Sequence, residues 1–165
     1  QKGFFMSSWG MENYWLAEQP ILELAIENHE PIFLIINSEY LEFVREDNPI
    51  ETEYSPLLRR DILAIENNYI LHWNEIYVAG KVLVLTQENT SFMFTLNIPG
   101  DYTLESSSKV MINSETVLPQ ETITLSKGEH TIQISEEPGV YTLRWGNNLY
   151  RPEEVKRKSR VFNGF

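Results

Sequence analysis

The stretch PGDYTL at 99–104 recurs as PGVYTL at 138–143, with five of its six residues identical. In both copies Pro-Gly signals a tight turn, since Pro fixes φ and Gly tolerates positive φ. Tyr, Thr and Leu then open a strand, with Tyr and Leu on one face and Thr on the other. The residues between the copies show no further internal match. We therefore interpret the pair as one turn-and-strand element used twice, with a duplicated functional element as the alternative.

Around both copies the sequence alternates between apolar and polar residues. The alternation is clear at 92–98, 122–125 and 131–134, and it has the period of two that strands show. Turn signals separate these runs at Pro-Gly 99–100, Lys-Gly 127–128, Pro-Gly 138–139 and Gly-Asn-Asn 146–148. Short strands at this spacing predict an antiparallel, jelly-roll-like β-sandwich over 71–152.

Residues 1–70 have a mixed helical and strand pattern, which predicts a small α/β part. Pro20 fits the first position of a helix whose buried face carries Ile21, Leu24 and Ala25. The apolar run within HEPIFLIINSEY (29–40) predicts a strand covered on both faces, followed by a short helix capped by Ser38.

The clearest helical pattern follows at 55–69. Ser55 and Pro56 are typical of a helix start, and an apolar stripe is formed by Leu58, Ile62, Ile65 and Tyr69. We therefore expect an α+β fold in one compact unit, with an α/β part (1–70), a sandwich (71–152) and a basic tail (153–165).

Composition narrows the classes of function. The 165 residues carry a net charge of −11, which argues against nucleic acid as the main partner because phosphate binding needs a basic face. The absence of cysteine excludes a disulfide framework and a thiolate metal site. No apolar run reaches the length of a membrane span. Because the chain begins with Gln, we expect a piece of a longer protein whose membrane attachment lies elsewhere.

Few residue patterns point to catalysis. The three histidines lack metal-ligand spacing, and no nucleotide-binding or nucleophile-elbow motif occurs, so we expect no metal and no cofactor. Asp61 and Glu75 are the best acidic candidates if the chain acts on glycans as an enzyme.

Two aromatic-rich stretches, NNYILHWNEIYVAGK (67–81) and YTLRWGNNLY (141–150), suggest a ligand surface. Aromatic rings beside polar groups are what a sugar-binding surface uses. The candidate glycan-binding residues are His72, Trp73, Asn74, Tyr77, Arg144 and Trp145. The alternative is that the large aromatics pack in the core where the two parts meet.

The segment RPEEVKRKSR (151–160) reverses the charge of the rest of the chain. It carries five positive and two negative residues. Such a run could contact anionic lipid or lipopolysaccharide phosphate, fold back on the acidic body, or remain a solvated terminus.

The chain resembles a known domain in the order of its elements. The order is a helix, PIFLIIN, a second helix, FTLNIPGDYTLESSSKVMINSETV (94–117), ITLSKGEHTIQI (123–134) and YTLRWGNNLYRP (141–152). It is similar to the C-terminal extracytoplasmic domain of bacterial polytopic, phospholipid-carrier-dependent glycosyltransferases, the group resembling dolichyl-phosphate-mannose transferases, and to carbohydrate-associated sandwich modules. The resemblance covers about 15–152 and carries over no catalytic residue.

The resemblance implies a place on the outer, periplasmic face of the bacterial inner membrane. The first hypothesis is a non-catalytic domain of a membrane glycosyltransferase or envelope protein that contacts a glycan, a glycolipid or a partner protein. The second is a soluble protein–protein scaffold, and the third is a glycan-active enzyme.

Overall fold

The computed structural model describes residues 8–35 and 57–152. Three helices lie in this part of the chain: α1 (Ser8–Ala17), α2 (Ile21–His29) and α3 (Arg59–Asn68). The ten strands are β1 (Phe33–Ile35), β2 (Tyr69–Trp73), β3 (Ile76–Leu85), β4 (Ser91–Leu96), β5 (Gly100–Glu105), β6 (Val110–Ile112), β7 (Glu115–Val117), β8 (Thr122–Leu125), β9 (Gly128–Ile134) and β10 (Gly139–Trp145). The predicted α+β fold with an antiparallel sandwich is confirmed.

The strands pair in the nested order of a jelly roll. Strand β3 pairs with β10, β4 with β9, β5 with β8 and β6 with β7, all antiparallel. Pairing of β10 with β5 and of β9 with β6 completes the two sheets. The larger one has six strands, ordered β1-β3-β10-β5-β8 with β2 also paired to β3, and the smaller one has four, ordered β4-β9-β6-β7. Eight strands folded in this way as one long double ribbon form the double-sheet jelly roll.

The two copies of the hexapeptide are neighbouring strands of the same sheet. They form β5 and β10, which pair with Leu143 opposite Leu104. The hydroxyl of Tyr102 donates to the carbonyl of Ile98 at 2.5 Å, and that of Tyr141 donates to the carbonyl of Glu137 at 2.5 Å. Each tyrosine thus bonds to the residue four positions earlier and fixes its Pro-Gly corner, a device known from other sandwiches.

The main core lies between the two sheets, as the alternation predicts. Leu83 and Leu85 of β3 point into it, whereas Val82 and Val84 lie on the outer face and are about half exposed. The facing sheet contributes Phe94, Leu96 and Ile132. Burial of these side chains supplies most of the driving force for folding of the sandwich.

A second core joins the helices to the first half of β3. Ile62 and Ile65 of α3 pack with Tyr77 and Ala79 of β3. Strands β1 and β2 both pair with this half of β3, and β10 pairs with its second half. Strand β3 therefore contributes side chains to both cores.

Asp61 connects the three helices. Its carboxylate is fully buried and accepts hydrogen bonds from the Tyr14 hydroxyl (2.7 Å) and from the backbone N–H groups of Ile21 (3.1 Å) and Glu23 (2.8 Å). The two backbone donors lie in the first turn of α2, where N–H groups lack partners within the helix. Pro20 precedes α2 without a side-chain cap, so Asp61 of α3 supplies the cap from outside.

Two local predictions for residues 1–70 differ from the structure. Pro20 is the N-cap of α2 and not its first residue. In β1, Phe33 and Ile35 are 48% and 47% exposed, so the prediction of a strand covered on both faces is wrong. The predicted short helix after Ser38 and the predicted helix start at Ser55 lie outside the described residues.

Candidate functional site

A polar cavity of about 180 Å³ opens on the outer face of the larger sheet, where β5 and β10 meet the segment after β10. We call it the arginine cavity. It is lined by Thr103, Glu105, Gln120, Arg144, Asn148, Leu149 and Arg151. Because six of these seven side chains are polar or charged, the cavity offers hydrogen-bonding groups to a small polar ligand.

Two arginines share one carboxylate at the floor of the cavity. Arg144 is 7% exposed and binds Glu105 through Nε (2.9 Å to Oε1) and Nη2 (3.1 Å to Oε2). Its Nη1 donates to the carbonyl of Leu71 at 2.8 Å. Arg151 adds a third bond, from Nη2 to Oε1 of Glu105 at 2.5 Å. The bidentate arrangement holds Arg144 rigidly, since a guanidinium and a carboxylate match in geometry.

The loops around the cavity are held by the sheet. Thr103 donates from its hydroxyl to the carbonyl of Gly146 at 2.6 Å and accepts from the N–H of Asn148 at 3.0 Å. Gln120 and Asn148 have φ values of +65° and +48°. Left-handed backbone at a glutamine is costly, and such residues concentrate at functional sites.

His72 lies beside the cavity in an irregular part of β2. The register of β2 on β3 shifts between Leu71 and Trp73, which leaves His72 as the extra residue of a bulge. Bulges redirect side chains and are frequent next to functional sites. Among the described residues, His72 Nδ1 and Trp73 Nε1 are buried and have no hydrogen-bond partner.

The surroundings of His72 favour its neutral form. Burial lowers the pKa of His72 below its ordinary value of 6.5, and the positive charges of Arg144 and Arg151 lower it further. A backbone hydrogen bond with Tyr150 and the carboxylate of Glu105 act in the opposite direction. The imidazole lies close to Arg144, since the guanidinium of Arg144 donates to the carbonyl of Leu71, the residue before His72.

The six predicted site residues separate into two groups. His72 and Arg144 come together, because Arg144 bonds to the carbonyl of the residue before His72. Trp73 is half-buried, and Asn74 is exposed in the turn between β2 and β3 with φ of +50°. Of these four residues, Arg144 lines the arginine cavity, and the other three are not among its lining residues.

Tyr77 is buried, and Trp145 is partly buried against both cores. Tyr77 is 3% exposed in the second core, so no ligand can reach its ring face. Trp145 contacts both cores and donates from Nε1 to the carbonyl of Pro99 at 3.3 Å. We therefore omit both aromatics from the candidate surface and assign them to packing.

Neither acidic candidate for catalysis lines the arginine cavity. Asp61 is buried behind the helices and engaged in three hydrogen bonds, so it cannot contact a substrate. Glu75 lies in the turn beside Asn74. A search of the described residues for clusters of metal-ligating side chains finds none.

Most of the cavity could not be identified from the sequence. Glu105 is 39 positions from Arg144 and becomes its partner only through the pairing of β5 with β10. Arg151 belongs to the basic run at 151–160, and its ion pair with Glu105 shows this residue folding back on the body of the protein. The predicted tail, 153–165, lies outside the described residues.

A second cavity, of about 290 Å³, lies between α2 and α3. Its charged lining residues are Glu23, Glu27 and Arg60. Arg60 is bound to Glu23 at 2.6 Å. No residue predicted as a ligand contact lines it, and acidic residues outnumber basic ones.

Comparisons of the chain with protein-family models, with curated proteins and with solved structures find no match. No helix in the described parts of the chain combines the length and the apolar character needed to cross a bilayer.

Proposed function

We propose that this chain is a non-catalytic glycan-binding domain of a bacterial envelope protein, of the kind attached to membrane glycosyltransferases and facing the periplasm. The observation that carries the proposal is the arginine cavity, with its guanidinium groups and the amide side chains of Gln120 and Asn148. Sugar hydroxyl groups both donate and accept hydrogen bonds, and such a lining supplies partners of both kinds.

Tyr150, an aromatic residue that is 82% exposed, directly precedes Arg151, which lines the cavity. An aromatic ring can pack against the apolar face of a pyranose while neighbouring polar groups bind its hydroxyls. The cavity is smaller than a typical site for a drug-sized ligand, which favours one terminal or branching sugar over a long chain segment.

The charges of the cavity favour binding over hydrolysis. Glycoside hydrolases mostly use two carboxyl groups, one on each side of the scissile bond. Among the described residues that line the cavity, Glu105 is the one carboxylate, and two arginines bind it. The described lining therefore offers no second carboxyl group to act with Glu105 in hydrolysis.

A titration of the purified chain with a panel of bacterial envelope oligosaccharides, followed by calorimetry, tests the proposal. Replacing Tyr150 by Ala should weaken binding roughly tenfold and leave the melting temperature unchanged, because the ring is exposed. Trp15→Ala is the matched control, since Trp15 is an exposed aromatic on α1. Absence of binding across the panel, or equal losses in both variants, would refute the proposal.

The second candidate function is a protein-interaction scaffold, and exposed valines favour it. Val82, Val84 and Val140 lie on the outer face of β3 and β10, are 48–56% exposed, and Val84 stands opposite Val140. A protein partner with an apolar surface could cover them. This alternative predicts no glycan signal in the titrations, and a stoichiometric complex in size-exclusion chromatography that Val84→Lys removes.

A further inference from the structure

The arginine cavity is a positive site on a negative protein. The whole chain carries a net charge of −11. Within the cavity, the guanidinium groups of Arg144 and Arg151 face the single carboxylate of Glu105, which leaves a net charge of +1. The second cavity has the reverse balance, with Glu23 and Glu27 against Arg60. The local charge of the arginine cavity is therefore a property of this site and does not follow from the composition.

Hydrogen bonding inside the cavity leaves donors in excess. Glu105 already accepts two bonds at Oε1 and one at Oε2. Arg144 uses all three of its guanidinium nitrogens. Arg151 is 46% exposed in its side chain and, within the described residues, donates through Nη2 alone. A guanidinium carries five N–H donors, so Arg151 has capacity for a further acceptor.

Neutral sugars would leave part of this donor capacity unmatched. A carboxylate accepts two parallel bonds from one guanidinium, and charge-assisted bonds of this kind are stronger than those to a neutral hydroxyl. The amide groups of Asn148 and Gln120 add further donors on the same rim.

From this geometry we infer that the arginine cavity selects a glycan by an anionic group, such as the carboxylate of a uronic acid, which Arg151 binds beside Glu105. The inference rests on the proposed glycan-binding function and names its ligand class. A sulfate or phosphate substituent on a sugar presents the same anionic oxygens and is the other source of this chemistry.

The charge of the whole protein restricts the ligand further. Interactions between exposed charges are screened over about 8 Å at physiological ionic strength, so one anionic group in the cavity is shielded from most of the acidic surface. A polyanionic glycan would extend over that surface and meet repulsion. The ligand that fits both conditions carries one anionic sugar at its end or branch point, with neutral sugars beyond it.

The test uses three oligosaccharides of equal length in calorimetric titrations with the whole chain. One ends in glucuronic acid, one is its carboxyl-reduced neutral counterpart, and one carries a single sulfate on its terminal sugar. We expect the glucuronic acid ligand to bind at least about tenfold more tightly than the neutral one, as charged hydrogen bonds require. Stronger binding of the sulfated ligand instead would support the anionic group and assign it to a sulfate-type substituent.

Variants separate the cavity from general charge effects. Arg151→Gln should reduce the ratio of anionic-ligand to neutral-ligand affinity to about one, because the variant lacks the guanidinium that binds the anionic group. Arg60→Gln removes an equal charge at the second cavity, and we expect it to preserve the preference. Equal binding of the neutral and both anionic ligands would overturn the inference while leaving the proposed function intact. Absence of binding by all three, and by the wider panel, would overturn both.

Discussion

Alanine at the glycines of the two hexapeptides should have opposite effects, although the local sequences are nearly identical. Gly100 has φ of +147°, and a Cβ there would lie 2.3 Å from Nε1 of Trp145. Such backbone costs a non-glycine residue about 1–3 kcal/mol. Trp145, which contacts both cores, would also have to move and lose its bond to Pro99. We expect Gly100→Ala to lower the free energy of unfolding by about 3–5 kcal/mol.

Gly139 is the matched control. It occupies the same position in the second copy, but its φ is not positive, and the nearest atom to an added Cβ is Cε2 of Tyr141 at 4.0 Å. Alanine there fits without strain and restricts the unfolded chain. We therefore expect Gly139→Ala to leave stability unchanged or to raise it by about 0.4–1 kcal/mol.

Equilibrium urea denaturation, followed by tryptophan fluorescence and far-ultraviolet circular dichroism, measures both effects. If Gly100→Ala yields no folded protein, its prediction is met in the strongest form, and Gly139→Ala must still unfold like the parent chain. Similar losses in the two variants would refute the argument, because the structure gives no reason for Gly139 to be required. A loss below about 1 kcal/mol for Gly100→Ala would refute the steric argument at Trp145.

Three further predictions concern buried polar groups. Asp61→Asn should lower the free energy of unfolding by about 2–4 kcal/mol, because one carboxylate oxygen that accepts a buried hydrogen bond becomes a donor. The control is Asp101→Asn, at an exposed carboxylate bonded to Thr124. It should lower the free energy of unfolding by less than about 0.5 kcal/mol in the same urea series. Tyr102→Phe should cost about 1 kcal/mol by leaving the carbonyl of Ile98 without its partner, and an unchanged midpoint would contradict the role of that corner. Stability should fall as the pH drops below 6.5, because His72 is protonated there in the unfolded state, whereas burial and the two cavity arginines favour the neutral imidazole in the folded state. His72→Gln should reduce this pH dependence in thermal melts from pH 7.5 to 5. An identical pH profile in the variant would contradict the environment described for His72.

The sandwich could be predicted because apolar and polar residues alternate along its strands in step with buried and exposed side chains. In β4 and β9 alternate side chains face the core, so the period of two in the sequence matches the burial of Phe94, Leu96 and Ile132. The Pro-Gly corners were visible for the same local reason. The pairing of β5 with β10 could not be predicted, since it depends on the nested topology and not on a signal in the neighbouring sequence.

Errors arose where tertiary position overrides local pattern. The apolar run around Phe33 suggests a strand buried on both faces, yet Phe33 and Ile35 are about half exposed. Arg144 lies on the outer face of its sheet, but pairing with Glu105 and covering by the segment after β10 bury it. Neither the exposure of Phe33 and Ile35 nor the burial of Arg144 can be predicted from neighbouring residues in the sequence.

The candidate site was predicted in part. His72 and Arg144 were identified from aromatic-rich stretches, and they lie beside each other because the bulge in β2 brings the chain at Leu71 to the Arg144 guanidinium. Glu105 and Arg151 have no local signal, since each is one of many charged residues in the sequence. Tyr77 was misplaced because an aromatic residue beside polar neighbours looks the same whether it is in the core or on the surface.

The central claim, that the arginine cavity binds a glycan through an anionic sugar, is tested most directly by nuclear magnetic resonance. Backbone amide shifts would be followed while the chain is titrated with the glucuronic-acid-terminated oligosaccharide. We expect saturable shifts concentrated at Thr103, Glu105, Asn148 and Arg151, and much weaker shifts at the same amides with the carboxyl-reduced ligand. Shifts confined to the second cavity between α2 and α3, or no shifts at saturating ligand, would contradict it.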